Sequence, residues 1–335
     1  MKAMVISEYG PPDVFQLQEV EKSAPEDNEV LIKVRATAVS FGEVIARDAT
    51  FSLREFWLPG LLWPVARMQL GFSKPNHTIL GSEFAGEIES VGKEVKSFKP
   101  GDQVFGFSER FGANAEYVCM PENGVLAPKP AKLSYEEAAV VPHGALTALH
   151  FMRDRASIQS GQRVLINGAS GGIGQYAVQL AKAFGAEVTG VCSTAKLDLV
   201  RSLGADEVVD YTQEDFTENG QTYDVIFDTK GVTTVSGCKD SLKEGGRHLM
   251  AAFGTKELFQ TLGTSIAGGK KVVCSLAPIK QEGLIELTEL IEAGKLRPVI
   301  DKVYPLEQVA EAHRYFESGQ RKGYIVVTQE QGDRA

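Results

Sequence analysis

Four closely spaced glycines are the first residues in this chain whose arrangement implies chemistry. In the stretch "VLINGASGGIGQYAVQLAKAFGAEVTGVCSTAK", residues 164–196, Gly168, Gly171, Gly172 and Gly174 follow the apolar run Val164, Leu165, Ile166. Such a run reads as a strand buried on both faces. Beyond it Ile173, Ala177, Leu180 and Phe184 recur at the 4-3-4 spacing of one helix face. Gly185 stands where that helix should stop, and residues 187–192 read as the next strand. A glycine turn between strand and helix leaves free backbone N–H groups and no Cβ in front of them. That arrangement suits the pyrophosphate of a dinucleotide. Ala169, Ser170, Gly171, Gly172 and Ile173 are the expected contacts. The alternative is a tight turn with no ligand.

The end of the second strand bears on which dinucleotide is held. An acidic residue there would bond the adenine ribose hydroxyls of NAD. This strand ends instead in Cys192, Ser193 and Thr194, followed by the positive charge of Lys196. One charge-assisted hydrogen bond to a 2′-phosphate is worth about 1.5–3 kcal/mol, or about ten- to 150-fold in preference. The expected cofactor is therefore NADP(H). Asp198, two residues on, favours the competing reading of Lys196 as a solvated helix-start lysine.

The chain as a whole narrows the partners. Its 335 residues suffice for two domains, and 43% hydrophobic with 24% charged residues is ordinary for a globular protein. A formal charge of −9, with no long Lys/Arg cluster, argues against nucleic acid or an anionic membrane. The start, "MKAMVISEYG", lacks the apolar core of a signal peptide. The four cysteines (119, 192, 238 and 274) lie far apart, which fits a reducing compartment, and the expected location is cytoplasmic. The apolar segment Phe56 to Phe72 contains Pro59, Pro64, Arg67 and Gln69, so it is not an uninterrupted membrane span. It reads as a packed loop or as a lid over an apolar pocket. The final "QEQGDRA" reads as a frayed tail.

The elements that must position these residues divide the chain in two. The first third holds β-rich runs such as "EVLIKVRATAVS", "EFAGEIESVG", "DQVFGF" and "AEYVCM", separated by Pro/Gly/Asn/Asp turns. After about residue 140, strands alternate with helices: 164–167, 187–192, 207–209, 225–228, 248–253 and 271–276 are the expected strands. That order indicates a doubly wound parallel sheet, an α/β fold. A last helix, "LEQVAEAHRYFESG", leads to a closing strand "YIVVT".

Several separated motifs then converge: "LGSEFAGEIESVGKEVKSFKPGDQVFG", "EEAAVVPHGALTALH", the glycine stretch and "RSLGADEVVDY". In them the chain resembles the medium-chain dehydrogenase/reductase superfamily, in its zinc-independent, quinone-oxidoreductase-like (zeta-crystallin-like) branch. A short-chain dehydrogenase is excluded, since the glycines lie mid-chain and none of the nine tyrosines has a lysine four residues later. The resemblance implies a GroES-like β-rich catalytic domain, residues 1–126 and 297–335, around a Rossmann domain, residues 127–296. The cofactor is expected in the cleft between them. In NADP-using relatives a Ser/Thr, a Lys and a Tyr surround the 2′-phosphate, which assigns Ser193, Thr194, Lys196 and Tyr211 here. Phe41, Thr147, Thr229, Ala252, Phe253, Gly254 and Leu276 fall at positions that border the cofactor. The resemblance also implies a homodimer paired through the sixth strand.

Zinc-using relatives carry Cys where this chain has Ser40, and His-Glu where it has Ser82-Glu83. A serine hydroxyl is a poor zinc ligand, and the five histidines show no H-x-x-x-H or H-E-x-x-H spacing, so no metal is expected. Glu83 is expected to bond local backbone or a basic residue. Without a Lewis acid, hydride transfer to an acceptor that delocalises its own charge is the easier reaction. The expected substrate is a quinone or an α,β-unsaturated carbonyl. Ser40 is the candidate donor to its oxygen, Glu43 a supporting acid and His143 a neighbour of the nicotinamide. The relatives' tyrosine has no counterpart at Val44, Ile45 or Ala46, so the final proton is assigned to water. Two other readings remain: an alcohol dehydrogenase, and a catalytically weak NADPH-binding scaffold protein.

Overall fold

The computed structural model describes residues 1–49, 68, 70–267 and 269–329. Most of the segment Phe56 to Phe72, expected to be a loop or lid, lies outside the described residues, as do residues 330–335 of the expected tail.

Both ends of the chain build one sheet. β1 (Lys2–Val5) and β2 (Gln16–Glu19) form a separate antiparallel pair. A seven-stranded sheet then uses β3 (Glu29–Ala38), β4 (Glu83–Val91), β5 (Gln103–Phe107), β6 (Tyr117–Pro121) and β7 (Val125–Pro128). It is completed from the far end of the chain by β14 (Ile300–Pro305) and β15 (Tyr324–Thr328). β3 is its axis, antiparallel to β4, β6 and β15 and buried along nearly its whole length. The expected change of domain after residue 126 falls inside β7, which pairs with β5.

The second sheet is wholly parallel and comes from the middle of the chain. Its strands are β8 (Arg163–Asn167), β9 (Glu187–Cys192), β10 (Glu207–Asp210), β11 (Tyr223–Asp228), β12 (Leu242–Met250) and β13 (Lys271–Cys274). Their order is β10-β9-β8-β11-β12-β13, so the sheet reverses direction of growth at β8. Ligands of such sheets bind outside the strand C-termini at that reversal. β12 begins six residues earlier than the expected start at 248 and stops at Met250, which leaves residues 251–254 in the loop beyond it.

Helices fill the joints. α1 (Phe41–Asp48) follows β3, and α2 (Tyr135–Ala139) and α3 (Pro142–Leu149) connect the two sheets. α4 (Gly172–Ala183), α5 (Leu197–Ser202) and α6 (Thr255–Ala267) belong to the parallel sheet. α7 (Gln281–Glu292) and α8 (Val309–Glu317) complete the set. α3 continues directly into a π-helical turn, His150–Arg155.

The halves share one apolar core, in which Ala36, Ala85 and Phe105 of the first sheet join Val164, Ile166 and Tyr176 of the second unit. Tyr324 of β15 is driven into this seam. A Cβ at Gly144 would sit 2.0 Å from the Tyr324 hydroxyl, and one at Gly172 3.0 Å from it. A side chain at Gly144 would force the Tyr324 hydroxyl to move, and one at Gly172 would crowd it. At the outer edge of the parallel sheet the Val272 and Cys274 N–H groups donate to the Thr264 and Thr261 hydroxyls of α6, at 3.1 and 3.2 Å.

Candidate active site

The glycine turn lies at the C-terminal end of β8. Gly168 has φ 81°, a left-handed conformation, and its carbonyl accepts from the Gly171 N–H at 2.9 Å. A Cβ on Gly174 would lie 2.1 Å from the Gly168 carbonyl oxygen. That close approach sets α4 against the turn. The first N–H groups of α4 have no partner inside the helix and are available to an anion. Ala169 is buried with its N–H on the Val191 carbonyl, while Ser170, Gly171, Gly172 and Ile173 form the partly open surface of the turn.

The segment after β9 is where the two halves of the molecule meet in charge. Burial pushes the Lys196 pKa down, and the nearby charges of Arg321 and Lys230 push it further. Lys196 comes from the parallel-sheet unit, Lys230 from the turn after β11, and Arg321 from the loop between α8 and β15. Lys196 Nζ also reaches the Gly319 carbonyl of that same loop at 3.5 Å. Burial likewise lowers the Arg321 pKa, and its guanidinium lies over the Phe316 ring at 4.2 Å. The Lys230 side chain runs beside the glycine turn, since a Cβ on Gly168 would be 2.9 Å from Lys230 Cγ. Three cations, two of them with proton affinity lowered mainly by burial, form a ready site for a multiply charged anion. Asp301 offsets them in part.

The sequence-derived neighbours of this site divide. Tyr211 N–H bonds the Cys192 carbonyl at 3.2 Å, which brings Tyr211 to the end of β9, and it is 63% exposed. Ser193 is half-buried beside it. The Thr194 hydroxyl donates to Asp210. Asp210 lies on β10, sixteen residues away, and neither residue alone signals the pairing.

A second group of residues lines a cleft of about 230 Å³: Ser40, Gly42, Ser82, Phe107, Glu109 and His143 are among them. Ser40 caps α1 in a reciprocal arrangement. Its hydroxyl accepts from the Glu43 N–H at 3.3 Å, and the Glu43 carboxylate accepts from the Ser40 N–H at 3.0 Å. Because the hydroxyl oxygen acts as acceptor there, its proton remains for the cleft. The other Glu43 oxygen accepts from Asn114 Nδ2 at 3.0 Å. Phe41, the first residue of α1, is exposed.

His143 stacks on Phe107 with ring centroids 5.7 Å apart. The residue is exposed to the cleft, and packing against the rest of the ring lowers its pKa, which favours the neutral imidazole. Its backbone N–H donates to Glu83 Oε1 at 3.0 Å. Glu83 thus bonds backbone sixty residues away, contrary to the expected local or basic partner. Glu43 and Glu83 are both buried, and dehydration pushes them up to about 7 and about 8, with Glu43 raising Glu83 further. The remaining predicted residues, except Thr147, follow strand C-termini of the parallel sheet. Thr229 donates its hydroxyl to the Asn167 carbonyl at 2.9 Å, Thr147 is buried in α3, and Ala252, Phe253 and Gly254 follow β12. Leu276, just past β13, is 71% exposed.

Comparison with known proteins matches this geometry. The alcohol dehydrogenase GroES-like domain family matches residues 26–151, and the zinc-binding dehydrogenase family matches residues 203–327. The zebrafish (Danio rerio) protein named NAD(P)H oxidoreductase RTN4IP1, mitochondrial, is 34% identical over 98% of this chain and 91% of its own length. The Arabidopsis thaliana protein named NADPH-dependent alkenal/one oxidoreductase, chloroplastic, is also 34% identical, over 98% of this chain and 79% of its own length. Among solved structures, the quinone oxidoreductase of Coxiella burnetii superposes with a TM-score of 0.82 at 27% identity, covering 98% and 99% of the two chains. The chain is a quinone-oxidoreductase-like member of the medium-chain dehydrogenase/reductase superfamily.

Within this superfamily the glycine turn, the free α4 N–H groups and the three cations fit a nicotinamide dinucleotide. Zinc does not fit the cleft. Ser40 and Ser82 offer hydroxyls, His143 offers one imidazole, both Glu43 oxygens are engaged with Asn114 and the Ser40 N–H, and Glu83 Oε1 is engaged with the His143 N–H. Catalytic zinc takes three strong protein ligands. Among the described residues no group of three or more His, Cys, Asp or Glu side chains is arranged to hold a metal. Among them, too, no helix is long and apolar enough to cross a membrane.

Proposed function

We propose that this protein is an NADPH-dependent, zinc-independent reductase of quinones or α,β-unsaturated carbonyls. The donor set of the cleft carries the reading: a serine hydroxyl with a spare proton and a neutral imidazole, without a metal-ligand triad. Relatives named for quinone and alkenal/one reduction support the substrate class.

A bound nicotinamide supplies the hydride. The chain's own residues bind, orient and exclude water. Lys196, Lys230 and Arg321, with Ser193 and Tyr211 at the rim, take the 2′-phosphate. The α4 N–H groups take the pyrophosphate, and Thr229, Thr147 and residues 252–254 border the nicotinamide half. The Ser40 hydroxyl donates a hydrogen bond to the substrate oxygen as negative charge develops there and keeps its proton; one preorganised donor of this kind is worth about 3–4 kcal/mol. Glu43 holds Ser40 in that orientation through the capping box. His143, stacked on Phe107, is a second donor. Water delivers the last proton.

The division of labour follows the expected domains, with 1–126 and 297–335 supplying the cleft donors and Arg321, and 127–296 supplying the cofactor turn. Four separated free thiols support a cytoplasmic location, although two of the relatives are named mitochondrial and chloroplastic; fractionation of cells expressing the protein tests it. A homodimer paired across β13 would have to displace the Thr261 and Thr264 hydroxyls from the edge N–H groups. Sedimentation at two protein concentrations tests that.

The deciding experiment is NADPH oxidation, with NADH in parallel, against a simple quinone and an enone on chelator-treated protein. Turnover that prefers NADPH and survives chelation is the expected result. Confirmed NADPH binding without turnover of either acceptor would overturn the substrate class.

A further inference from the structure

Away from the cleft donors, a second polar cluster joins a buried pair, His150 and Ser275, to two exposed residues, Asp154 and Arg155. His150 and Ser275 are 7% and 6% exposed. The π-helical turn brings Asp154 and Arg155 back toward His150, and widened turns of this kind recur at functional sites. His150 Nδ1 lies 3.3 Å from Asp154 Oδ2, and His150 Nε2 lies 3.0 Å from Ser275 Oγ. Arg155 Nε is 3.1 Å from both His150 Nε2 and Ser275 Oγ, and Arg155 Nη2 is 2.9 Å from Ser275 Oγ.

The donors assign the protons. Guanidinium N–H groups only donate, so His150 Nε2 is an acceptor and Nδ1 carries the ring proton toward Asp154. Ser275 Oγ accepts twice from Arg155. Its own proton goes to His150 or to the Leu276 carbonyl, 3.2 Å away. The order Ser, His, Asp resembles a hydrolytic triad, but this oxygen is buried and capped by the guanidinium. It holds a position.

That position is the first residue after β13, on the ligand side of a wholly parallel sheet. We propose that His150 is a positioning residue: with Asp154 and Arg155 it fixes Ser275, and through Ser275 the loop carrying Leu276 at the nicotinamide end of the cofactor cleft. The inference rests on the NADPH reading above.

Protonation opposes this arrangement. Burial lowers the His150 pKa, Asp154 pulls it up, and Arg155 and Arg153 push it down again. Arg153 is itself paired with Glu286, and Arg247 bonds the Arg155 carbonyl at 3.0 Å. A proton on Nε2 would face the Arg155 N–H and displace Ser275. The neutral ring belongs to the assembled cluster, so its contribution is complete above the ordinary imidazole pKa and is lost as pH falls.

The test uses the full chain with Ser275→Ala and His150→Gln, the latter keeping an acceptor that does not titrate. NADPH Kd is measured by fluorescence against pH, and backbone amide exchange is followed over residues 275–279. Ser275→Ala should raise Kd about tenfold and speed exchange in that loop. His150→Gln should bind within about twofold of the unsubstituted chain at neutral pH, and should lose less affinity than it below roughly pH 6. Protonation of the cofactor's own phosphate acts equally on both proteins, so the difference between them is the readout. Binding by the unsubstituted chain with no change of Kd in Ser275→Ala would overturn the inference alone, even if exchange quickened. Failure of the unsubstituted chain to bind NADPH would overturn the cofactor reading and this inference with it.

Discussion

Removing the cations one at a time makes a quantitative test of the cofactor assignment. In Lys196→Gln, Lys230→Gln and Arg321→Gln the three contributions should rank by burial. Lys196 and Arg321 are half-buried and lose proton affinity through dehydration, so each meets a phosphate with little water between them. A charge-assisted hydrogen bond in that setting is worth about 1.5–3 kcal/mol, a loss of about ten- to 150-fold in kcat/KM for NADPH. Lys230 is exposed, and an exposed pair is worth roughly 0–1 kcal/mol, at most about fivefold. NADH has no 2′-phosphate, and deleting one cation relieves repulsion among the remaining two. Its kcat/KM should stay level or rise slightly, so the NADPH/NADH ratio should collapse in Lys196→Gln and Arg321→Gln. The assay is initial-rate kinetics with both cofactors at two ionic strengths, because salt weakens what the exposed Lys230 contributes more than what the other two contribute. A ratio unchanged in the Lys196→Gln/Arg321→Gln double variant would refute the argument, because the discrimination for the phosphate would then reside in other residues.

Ser40→Ala should lower kcat about 100-fold with little change in KM for NADPH, since the hydroxyl acts on charge that develops only during reaction. It should also lose about 1 kcal/mol of stability with the helix cap. Ser40→Thr keeps both functions and should recover most of the rate. The Glu83 carboxyl, pushed up to about 8 by burial, favours the folded state only while protonated. Its contribution is therefore full below the ordinary carboxyl pKa and is lost as pH rises toward 8. Glu83→Gln removes that loss and should melt at a higher temperature than the unsubstituted protein in mildly alkaline buffer, by about 2 °C or more. Equal melting curves at both ends of the pH range would contradict the buried, protonated carboxyl.

The sequence by itself determined the glycine turn, because its chemistry is local. Strand, turn and helix are consecutive, and Gly168 and Gly174 are six residues apart, so spacing alone shows a helix start with open N–H groups. The alternation of strands and helices gave the parallel sheet for the same reason, and Ser40 at the head of α1 was visible as a candidate donor. Tertiary structure decided what surrounds those residues. Arg321 reaches Lys196 because β15 returns the end of the chain to the first sheet, and nothing near "ESGQRKGY" indicates a phosphate site. Asn114 meets Glu43, Glu83 meets the His143 backbone, and Ser275 meets His150 across separations of 71, 60 and 125 residues. Thr194 meets Asp210 across sixteen residues, a contact its place at the end of β9 does not reveal. Periodicity records which face of an element is buried, since burial averages over many neighbours. A hydrogen bond depends on one partner at one distance, and that partner is set only when the two sheets close around Gly144, Gly172 and Tyr324.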